Sequence, residues 1–221
     1  MKNILWFLVA VCSGVFISIV ILSVYITSKN VQQRTSAIVQ AKTMHFSLEK
    51  APADSIQGSI ASLSGTVAWQ SRIATQPAQI TQSRIIQQGE TIVTKDDGNA
   101  TIAFSELGTI ALFPETTLAI IQTLPENAVF VQQQGSAMYT KTGNTPVTIR
   151  SLHLLTLLTS GKAEITINTD QPVITVRVYN GLATIGFNTL KYLSVVQEIP
   201  AGQQVTFHDD TREITMESLT Q

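Results

Sequence analysis

The side chains that could do chemistry are few in this chain and stand apart from one another. None of the three histidines, His45, His153 and His208, lies at a spacing typical of a zinc site. Cys12 is the only cysteine, so neither an intramolecular disulfide nor a cysteine-based metal site can form. No nucleophile, base and orienting group occur at a recognisable spacing. We therefore predict a protein that is not an enzyme, with no catalytic, cofactor-binding or metal-binding residues.

Aromatic side chains are the remaining candidates for contact with a partner. Tyr179 shares one face of a predicted strand with Thr175 and Arg177, because side chains two residues apart point the same way. The opposite face is apolar and consists of Ile174, Val176 and Val178. Tyrosine and arginine are enriched among the residues that carry binding energy. We expect Tyr179, Arg177 and Tyr192 to contribute to a candidate binding surface.

The charge balance limits the classes of partner. Lys and Arg total 14 against 15 for Asp and Glu, which gives a net charge of -1. Such a chain has no overall attraction to a phosphate backbone, so we predict no nucleic acid partner. Charged residues make up only 13% of the sequence, about half the usual share. The polar surface is therefore expected to consist largely of Thr and Gln, and we predict no small-molecule substrate.

From Ser59 onward the apolar residues recur at every second position, which is the period of a half-buried strand. Ile102 and Phe104, for example, alternate with small polar or apolar residues, and Trp69 follows Val67 in the same period and is expected in the core. Turn signals separate these segments at Asp96–Asn99, Glu106–Gly108, Gly143–Asn144, Asn180–Gly181, Ala201–Gly202 and His208–Asp210. The pattern predicts a mainly β fold over residues 58–217, either sandwich-like, jelly-roll-like or a short β-solenoid, with residues 218–221 as a tail.

Residues 4–26 are predicted to form a single transmembrane helix. They carry no charge and, at about 1.5 Å per residue, reach about 34 Å, enough to cross a hydrocarbon core of roughly 30 Å. Residues 1–3 precede this span as a short cytoplasmic tail, and residues 27–57 follow it as a partly helical stalk. We expect a cell-membrane protein with one span.

The orientation of this span rests on two opposing arguments. Lys29, Arg34 and Lys42 follow the span, which by the positive-inside rule favours a cytoplasmic domain. The very short N-terminal tail and the weakly charged domain favour the opposite orientation. We predict that the β domain is extracytoplasmic.

The order of the motifs in the β domain resembles the FecR domain of bacterial envelope proteins, from about Ile60 to Phe207. The stretch GETIVTKDDGNATIAF is similar to the family's glycine, strand, Asp/Gly turn and Ala-Thr-x-x-Phe order. The matching positions are Gly65, Val67, Gly89, Thr94, Asp97, Gly98, Ala100, Thr101, Phe104, Gly108, Thr109, Leu112, Pro114, Thr116, Leu118, Gly135, Tyr139, Ala201, Gly202, Gln203 and Val205. The resemblance implies an all-β envelope domain of a membrane-anchored protein.

Two departures from the FecR pattern bear on function. The family's G-T-x-F segment is replaced by Ser160-Gly161-Lys162-Ala163. Relatives that regulate sigma factors carry a cytoplasmic segment before the span, whereas only Met1–Asn3 stand there in this sequence. We therefore expect a non-catalytic binding or scaffolding module that contacts another envelope protein or a glycan polymer. The alternative is a signal-relay component that acts on a sigma factor or another regulator through a partner membrane protein.

Overall fold

The computed structural model describes residues 50–219, and all of them fall within one compact unit, residues 47–221. The predicted tail and span, most of the predicted stalk and the last two residues lie outside the described residues. Between residues 50 and 219 there is no helix, so none long and apolar enough to span a membrane. The prediction of a mainly β fold is confirmed.

Fifteen strands make up the described part of the chain. Their bounds are β1 Gly58–Ser64, β2 Val67–Gln70, β3 Ala78–Gln79, β4 Ile85–Ile86, β5 Thr91–Thr94, β6 Asn99–Phe104, β7 Gly108–Leu112, β8 Thr117–Leu124, β9 Asn127–Lys141, β10 Val147–Ser151, β11 Leu154–Asn168, β12 Val173–Asn188, β13 Ser194–Pro200, β14 Gln203–His208 and β15 Glu213–Ser218. Neighbouring strands are antiparallel except for β9 and β10, which are parallel. All fifteen belong to one hydrogen-bonded open sheet.

Three long strands, β9, β11 and β12, change neighbours halfway along and so divide this sheet into two layers. The first half of β9 pairs with β8 and β10, and its second half pairs with β7 and β11. Likewise the second half of β12 pairs with β13 and its first half with β14. The first layer thus contains β2, β3, β5, β8, β10 and β13, and the second layer contains β1, β4, β6, β7, β14 and β15.

The inner faces of the two layers pack on each other and form one hydrophobic core. Phe130 of the first layer meets Phe104 of the second in an edge-to-face contact, with ring centroids 5.7 Å apart. Phe187 and Phe207 make a second contact across the layers at 4.9 Å. Because strand residues alternate between faces, central strands such as β6 and β12 send every second side chain into this core. The layers therefore stack as in a sandwich while remaining halves of one sheet.

The predicted turn at Asn180–Gly181 is wrong, because β12 runs through both residues without reversing. Gly181 instead lies directly opposite Gly161 of β11, and both have positive φ, +80° and +90°. A side chain on Gly181 would place its Cβ 2.4 Å from the carbonyl oxygen of Ser160. The glycine pair therefore lets two adjacent strands bend together where they pass from one layer to the other.

Candidate functional site

Tyr179 projects from the outer face of the second layer, as its position in the strand pattern predicts. Ile174, Val176 and Val178 are fully buried, while Tyr179 on the opposite face is 46% exposed. Its hydroxyl donates a hydrogen bond of 2.7 Å to Oε2 of Glu164 on β11. This bond and the nearby negative charge raise the pKa of Tyr179 above its ordinary value, because deprotonation would lose the bond. The ring is thus held at its hydroxyl end by Glu164 and is about half exposed to solvent.

Arg177 lies beside Tyr179 and is fixed from both neighbouring strands. The strand register places it opposite Glu164 of β11 and Gln204 of β14. Its Nη1 lies 3.6 Å from Oε2 of Glu164, and its Nε donates to Oε1 of Gln204 at 3.1 Å. The side chain is 37% exposed, so the ion pair alone is weakly stabilising. Its main effect, together with the bond to Gln204, is to hold the guanidinium between β11 and β14.

Glu164 is the centre of this arrangement, and sequence analysis did not select it. Besides Tyr179 and Arg177, it accepts a 3.0 Å hydrogen bond from the hydroxyl of Ser136 on β9. Its side chain is only 17% exposed. With both carboxylate oxygens occupied by donors, Glu164 is positioned to orient its neighbours rather than to accept a proton from a substrate.

The contacts continue across five strands and form a connected set, which we call the outer polar network. It consists of Ser136, Glu164, Arg177, Tyr179, Gln204 and Glu217. Gln204 extends it to β15 by donating through Nε2 to Oε2 of Glu217 at 3.2 Å. Beside it runs a row of Ser and Thr side chains in register on the same five strands: Ser136, Thr166, Thr175, Thr206 and Thr215. The result is a hydroxyl-, amide- and carboxylate-rich face with one prominent aromatic ring.

Tyr192 does not join Tyr179 and Arg177. It lies in the loop between β12 and β13, beyond the far end of the strand that carries the other two residues, and is 90% exposed. The stretch from Leu182 to Asn188 alone extends about 20 Å at about 3.3 Å per residue. The predicted three-residue surface is therefore split, with Tyr179 and Arg177 on the second layer and Tyr192 at the end of the first.

Trp69, which was expected in the core, is only partly buried on β2. The guanidinium of Arg84 lies over its ring, with Cζ 3.3 Å from the centroid. The arginine covers one face of the indole that the sheet leaves uncovered, and a cation over an aromatic face is attracted by it. Trp69 is thus closed off by Arg84 and contributes no open ring to the surface.

His153 and Asp209 form the one histidine–carboxylate contact among residues 50–219. Nδ1 of His153 lies 2.9 Å from Oδ2 of Asp209, and the backbone N–H of His153 donates to Oδ1 at 3.2 Å. The contact joins the β10–β11 turn to the β14–β15 turn. Within that same part of the chain, no three His, Cys, Asp or Glu side chains are grouped so that they could hold a metal ion.

A small cavity between the layers contains the chain's most buried cationic side chain among the described residues. Lys141 at the end of β9 lines it together with Leu107, Phe130 and Tyr139. Burial lowers the pKa of Lys141, and its Nζ donates a hydrogen bond to the carbonyl of Gly143. Burial also raises the pKa of Tyr139. The residues that line the cavity are mostly apolar core residues. We therefore infer that Lys141 caps the end of the hydrophobic core.

Sequence reasoning missed Glu164, Gln204 and Glu217 for an identifiable reason. Each lies on an outward position of an alternating strand, so its exposure could have been inferred from parity. Glu164 and Gln204 contact Arg177 or Tyr179, and Glu217 contacts Gln204, only because the register brings together residues 13 to 27 positions apart in the chain. One sequence does not specify that register.

Comparison with known proteins gives a distant structural likeness. No family model and no curated protein matches the chain. Two crystal structures described as "a putative anti-sigma factor from Parabacteroides distasonis ATCC 8503", at 2.50 and 1.65 Å resolution, are similar with a TM-score of 0.49. They are 13% and 12% identical in sequence, and each comparison covers 58% of this chain and 59% of the other. At this level the likeness assigns no function, and the FecR family remains a resemblance.

Proposed function

We propose that the chain is a membrane-anchored, non-catalytic binding module of the cell envelope, and that its partner binds to the outer polar network. The observation that carries the proposal is the fixed geometry around Glu164, which holds the ring of Tyr179 and the guanidinium of Arg177 in place. A surface whose side chains are already ordered loses less entropy when a partner binds. The proposal places the β domain outside the cytoplasm, on the anchor predicted at residues 4–26.

The chemistry of this face favours a glycan polymer as the partner. The half-exposed ring of Tyr179 offers an apolar face on which a sugar ring could pack. The neighbouring Arg177, Gln204 and Thr206 supply donors and acceptors for hydroxyl groups. Glutamate is depleted in protein–protein interfaces, whereas Glu164 lies at the centre of this network. A protein partner is the alternative outcome of the test.

Photo-crosslinking in the native membrane tests this function. A photoreactive amino acid at Thr206, beside the network, should link the full-length chain to a partner, and the same group at the exposed loop residue Thr75 should not. Digestion of the product identifies its class, since muramidase removes a peptidoglycan adduct, whereas a protein adduct resists muramidase and is identified from its peptides by mass spectrometry. Adducts of equal yield at both positions, or at neither, would refute the proposed surface.

Two substitutions at Tyr179 separate the contributions of its ring and its hydroxyl. Tyr179→Ala removes the ring and should lower the crosslinking yield from Thr206 by about tenfold, which corresponds to about 1.4 kcal/mol of binding free energy. Tyr179→Phe keeps the ring and loses the bond to Glu164 that orders it, so it should lower the yield by less than Tyr179→Ala does. Equal loss in both variants would show that the partner does not pack on the ring.

The signal-relay alternative stays a prediction from the sequence. No contact between described residues favours it over binding. A relay would additionally require a response downstream of the partner, so deletion of the gene should then alter transcription.

A further inference from the structure

The two layers end in four strands that, among the described residues, pair on one side only: β3 and β13 in the first layer, β4 and β15 in the second. β3 and β4 are two residues long, and such short edges offer little backbone to another strand. β13 ends at Pro200, which has no N–H, and its exposed polar Gln197 lies opposite the buried Ile185 on the inward row. β15 has the length of an ordinary strand and no proline.

The register shows which backbone groups of β15 are free. The N–H of Leu219, directly after β15, donates to the carbonyl of Gly202 at 2.8 Å. Hydrogen-bonded pairs of an antiparallel ladder recur at every second residue, so the odd-numbered residues of β15 bond to β14. Ile214, Met216 and Ser218 therefore direct their N–H and C=O groups away from the sheet. An unpaired row of this kind is completed by an extended segment that adds as a further strand.

Two of these residues also face the inside of the sandwich, where the core covers them incompletely. Met216 lies opposite Val205 and Ile214 lies opposite Phe207, and both of these partners are fully buried. Met216 itself is 37% exposed, and Ile214 is only partly buried although it packs against the core. A strand added beside β15 would cover both side chains if it carried apolar residues at alternate positions.

The outward positions of β15 set the charge of such a strand. Glu213 and Glu217 are exposed on the outer face, and Asp210 is exposed in the turn before them. Opposite charges at facing positions of a strand pair are stabilising, whereas like charges are destabilising. The carboxylates therefore favour a strand that carries Lys or Arg between its apolar residues.

The cations near β15 are already engaged with other groups. Arg212 is the one Lys or Arg in β15 and the turn before it, and its Nε donates to the backbone carbonyl of Asp209. Arg177 lies two strands away in the register and pairs with Glu164. Neither residue forms an ion pair with the glutamates of β15.

A second copy of β15 fits this edge less well than a cationic segment. Pairing of β15 with a second β15 would bring Glu213 and Glu217 of both copies, four carboxylates in all, onto one face of the strand pair. Their mutual repulsion opposes such a dimer. Lysine or arginine at the same positions replaces this repulsion with attraction.

We propose that the open edge of β15 is a docking site for an extended cationic peptide segment of another protein, which adds to the sheet as a strand. Its apolar side chains cover Ile214 and Met216, and its Lys or Arg side chains lie beside Glu213 and Glu217. In strand addition, backbone hydrogen bonds supply affinity and alternate side chains supply selectivity. The site shares Glu217 with the outer polar network but takes a different class of partner, and neither proposal requires the other.

Fluorescence anisotropy with a labelled probe peptide tests the proposal on the full-length chain in detergent. The probe is an acetylated eight-residue peptide that alternates valine with lysine. One control alternates valine with glutamate. The other is the lysine peptide N-methylated at its valines, whose N–H groups would face β15 in antiparallel pairing. We expect the probe to bind at least about tenfold more tightly than either control.

A matched pair of proline variants locates the edge. Met216→Pro removes a free N–H and leaves the bonds to β14 intact, because proline is tolerated where the N–H of an edge strand faces solvent. Val196→Pro makes the same change on β13, where the bond from the N–H of Ala201 to the carbonyl of Gly181 places Val196 on the open side. We expect Met216→Pro to weaken probe binding at least about tenfold and Val196→Pro less than about twofold. Circular dichroism verifies that both variants fold.

Charge reversal and hydrogen exchange test the two sets of contacts separately. Glu213→Lys combined with Glu217→Lys should reverse the preference, so that the glutamate peptide binds more tightly than the lysine peptide, whereas Glu198→Lys on β13 should leave the preference unchanged. Hydrogen exchange followed by mass spectrometry should show slower exchange over residues 213–219 with the probe bound and no change over residues 194–200.

Three results would overturn the proposal: equal affinity for the lysine and glutamate peptides, full binding by a folded Met216→Pro variant, or slower exchange at β13 instead of β15. If Met216→Pro does not fold, undiminished binding of the N-methylated peptide to the unaltered chain overturns it equally. Disulfide-linked dimers of Met216→Cys but not of Val196→Cys, formed in native membranes in a Cys12→Ser background, would identify a second copy as the occupant and refute the peptide.

Discussion

A methyl group added to Gly161, where β11 and β12 bend together from one layer to the other, should be among the most damaging changes to this fold. In Gly161→Ala, the new Cβ would stand 2.0 Å from the carbonyl oxygen of Asn180, with φ at +90°. The backbone conformation alone costs about 1–3 kcal/mol. Relieving the clash requires the two strands to separate, which weakens interstrand hydrogen bonds of about 1 kcal/mol each. We expect a total loss of about 3–5 kcal/mol in the free energy of unfolding.

Two other glycines provide controls that isolate these contributions. Gly202 has φ of +81° but no atom within 4 Å of its added Cβ, so Gly202→Ala should cost only the conformational part, about 1–3 kcal/mol. Gly186 has neither a positive φ nor an atom nearer than 3.9 Å, so Gly186→Ala should be neutral or stabilising by about 0.5 kcal/mol.

Guanidinium unfolding of the full-length chain in detergent, followed by circular dichroism, measures all three variants under the same conditions. The expected order of destabilisation is Gly161, then Gly202, then Gly186. A Gly161→Ala variant no less stable than Gly202→Ala would refute the argument that close approach at the bend, rather than φ alone, requires glycine.

Four further changes test the core and the outer polar network. Tyr139→Phe removes the buried 3.0 Å bond to Oε1 of Gln132 and should cost about 1–3 kcal/mol in denaturant unfolding, because the amide oxygen is left without that donor in the core. Tyr179→Phe should cost less, about 0.5–1 kcal/mol, since its bond to Glu164 is partly exposed. Because the folded-state pKa of Tyr179 is raised, the stabilisation from its bond to Glu164 should be present below about pH 10 and lost as pH rises through the raised pKa. In Glu164→Gln, ultraviolet titration should show the pKa of Tyr179 moving back toward its ordinary value. Phe207→Ala empties a fully buried position and should cost about 3–5 kcal/mol by thermal or denaturant unfolding; a loss under 1 kcal/mol would contradict its place in the core.

Local sequence patterns were enough to predict the strands and most of the turns. The alternation of Val176 and Val178 with Arg177 and Tyr179 placed the first pair inside and the second outside, as the structure shows. The turns at Asp96–Asn99 and Ala201–Gly202 also lie where they were predicted. These features depend on the pleat of a single strand and on the conformations that short residue stretches allow, both of which are local properties.

The Asn180–Gly181 pair shows where local patterns fail. Asn-Gly is a strong turn signal, yet here it continues a sixteen-residue strand. The decisive neighbour is Gly161, twenty residues earlier, whose lack of a side chain lets both strands bend at one point. No window of sequence around residue 180 contains that information.

The sequence by itself determined that this domain is built of half-buried strands and that Tyr179 and Arg177 face outward, and it predicts a membrane span at residues 4–26. Only the tertiary structure decided that Glu164 joins Tyr179 and Arg177 in one network, that Tyr192 lies apart in the β12–β13 loop, and that one sheet folds into two layers. The physical reason is that side-chain direction follows from the backbone of each strand, whereas contact between strands follows from register. Register is fixed by packing across the whole core.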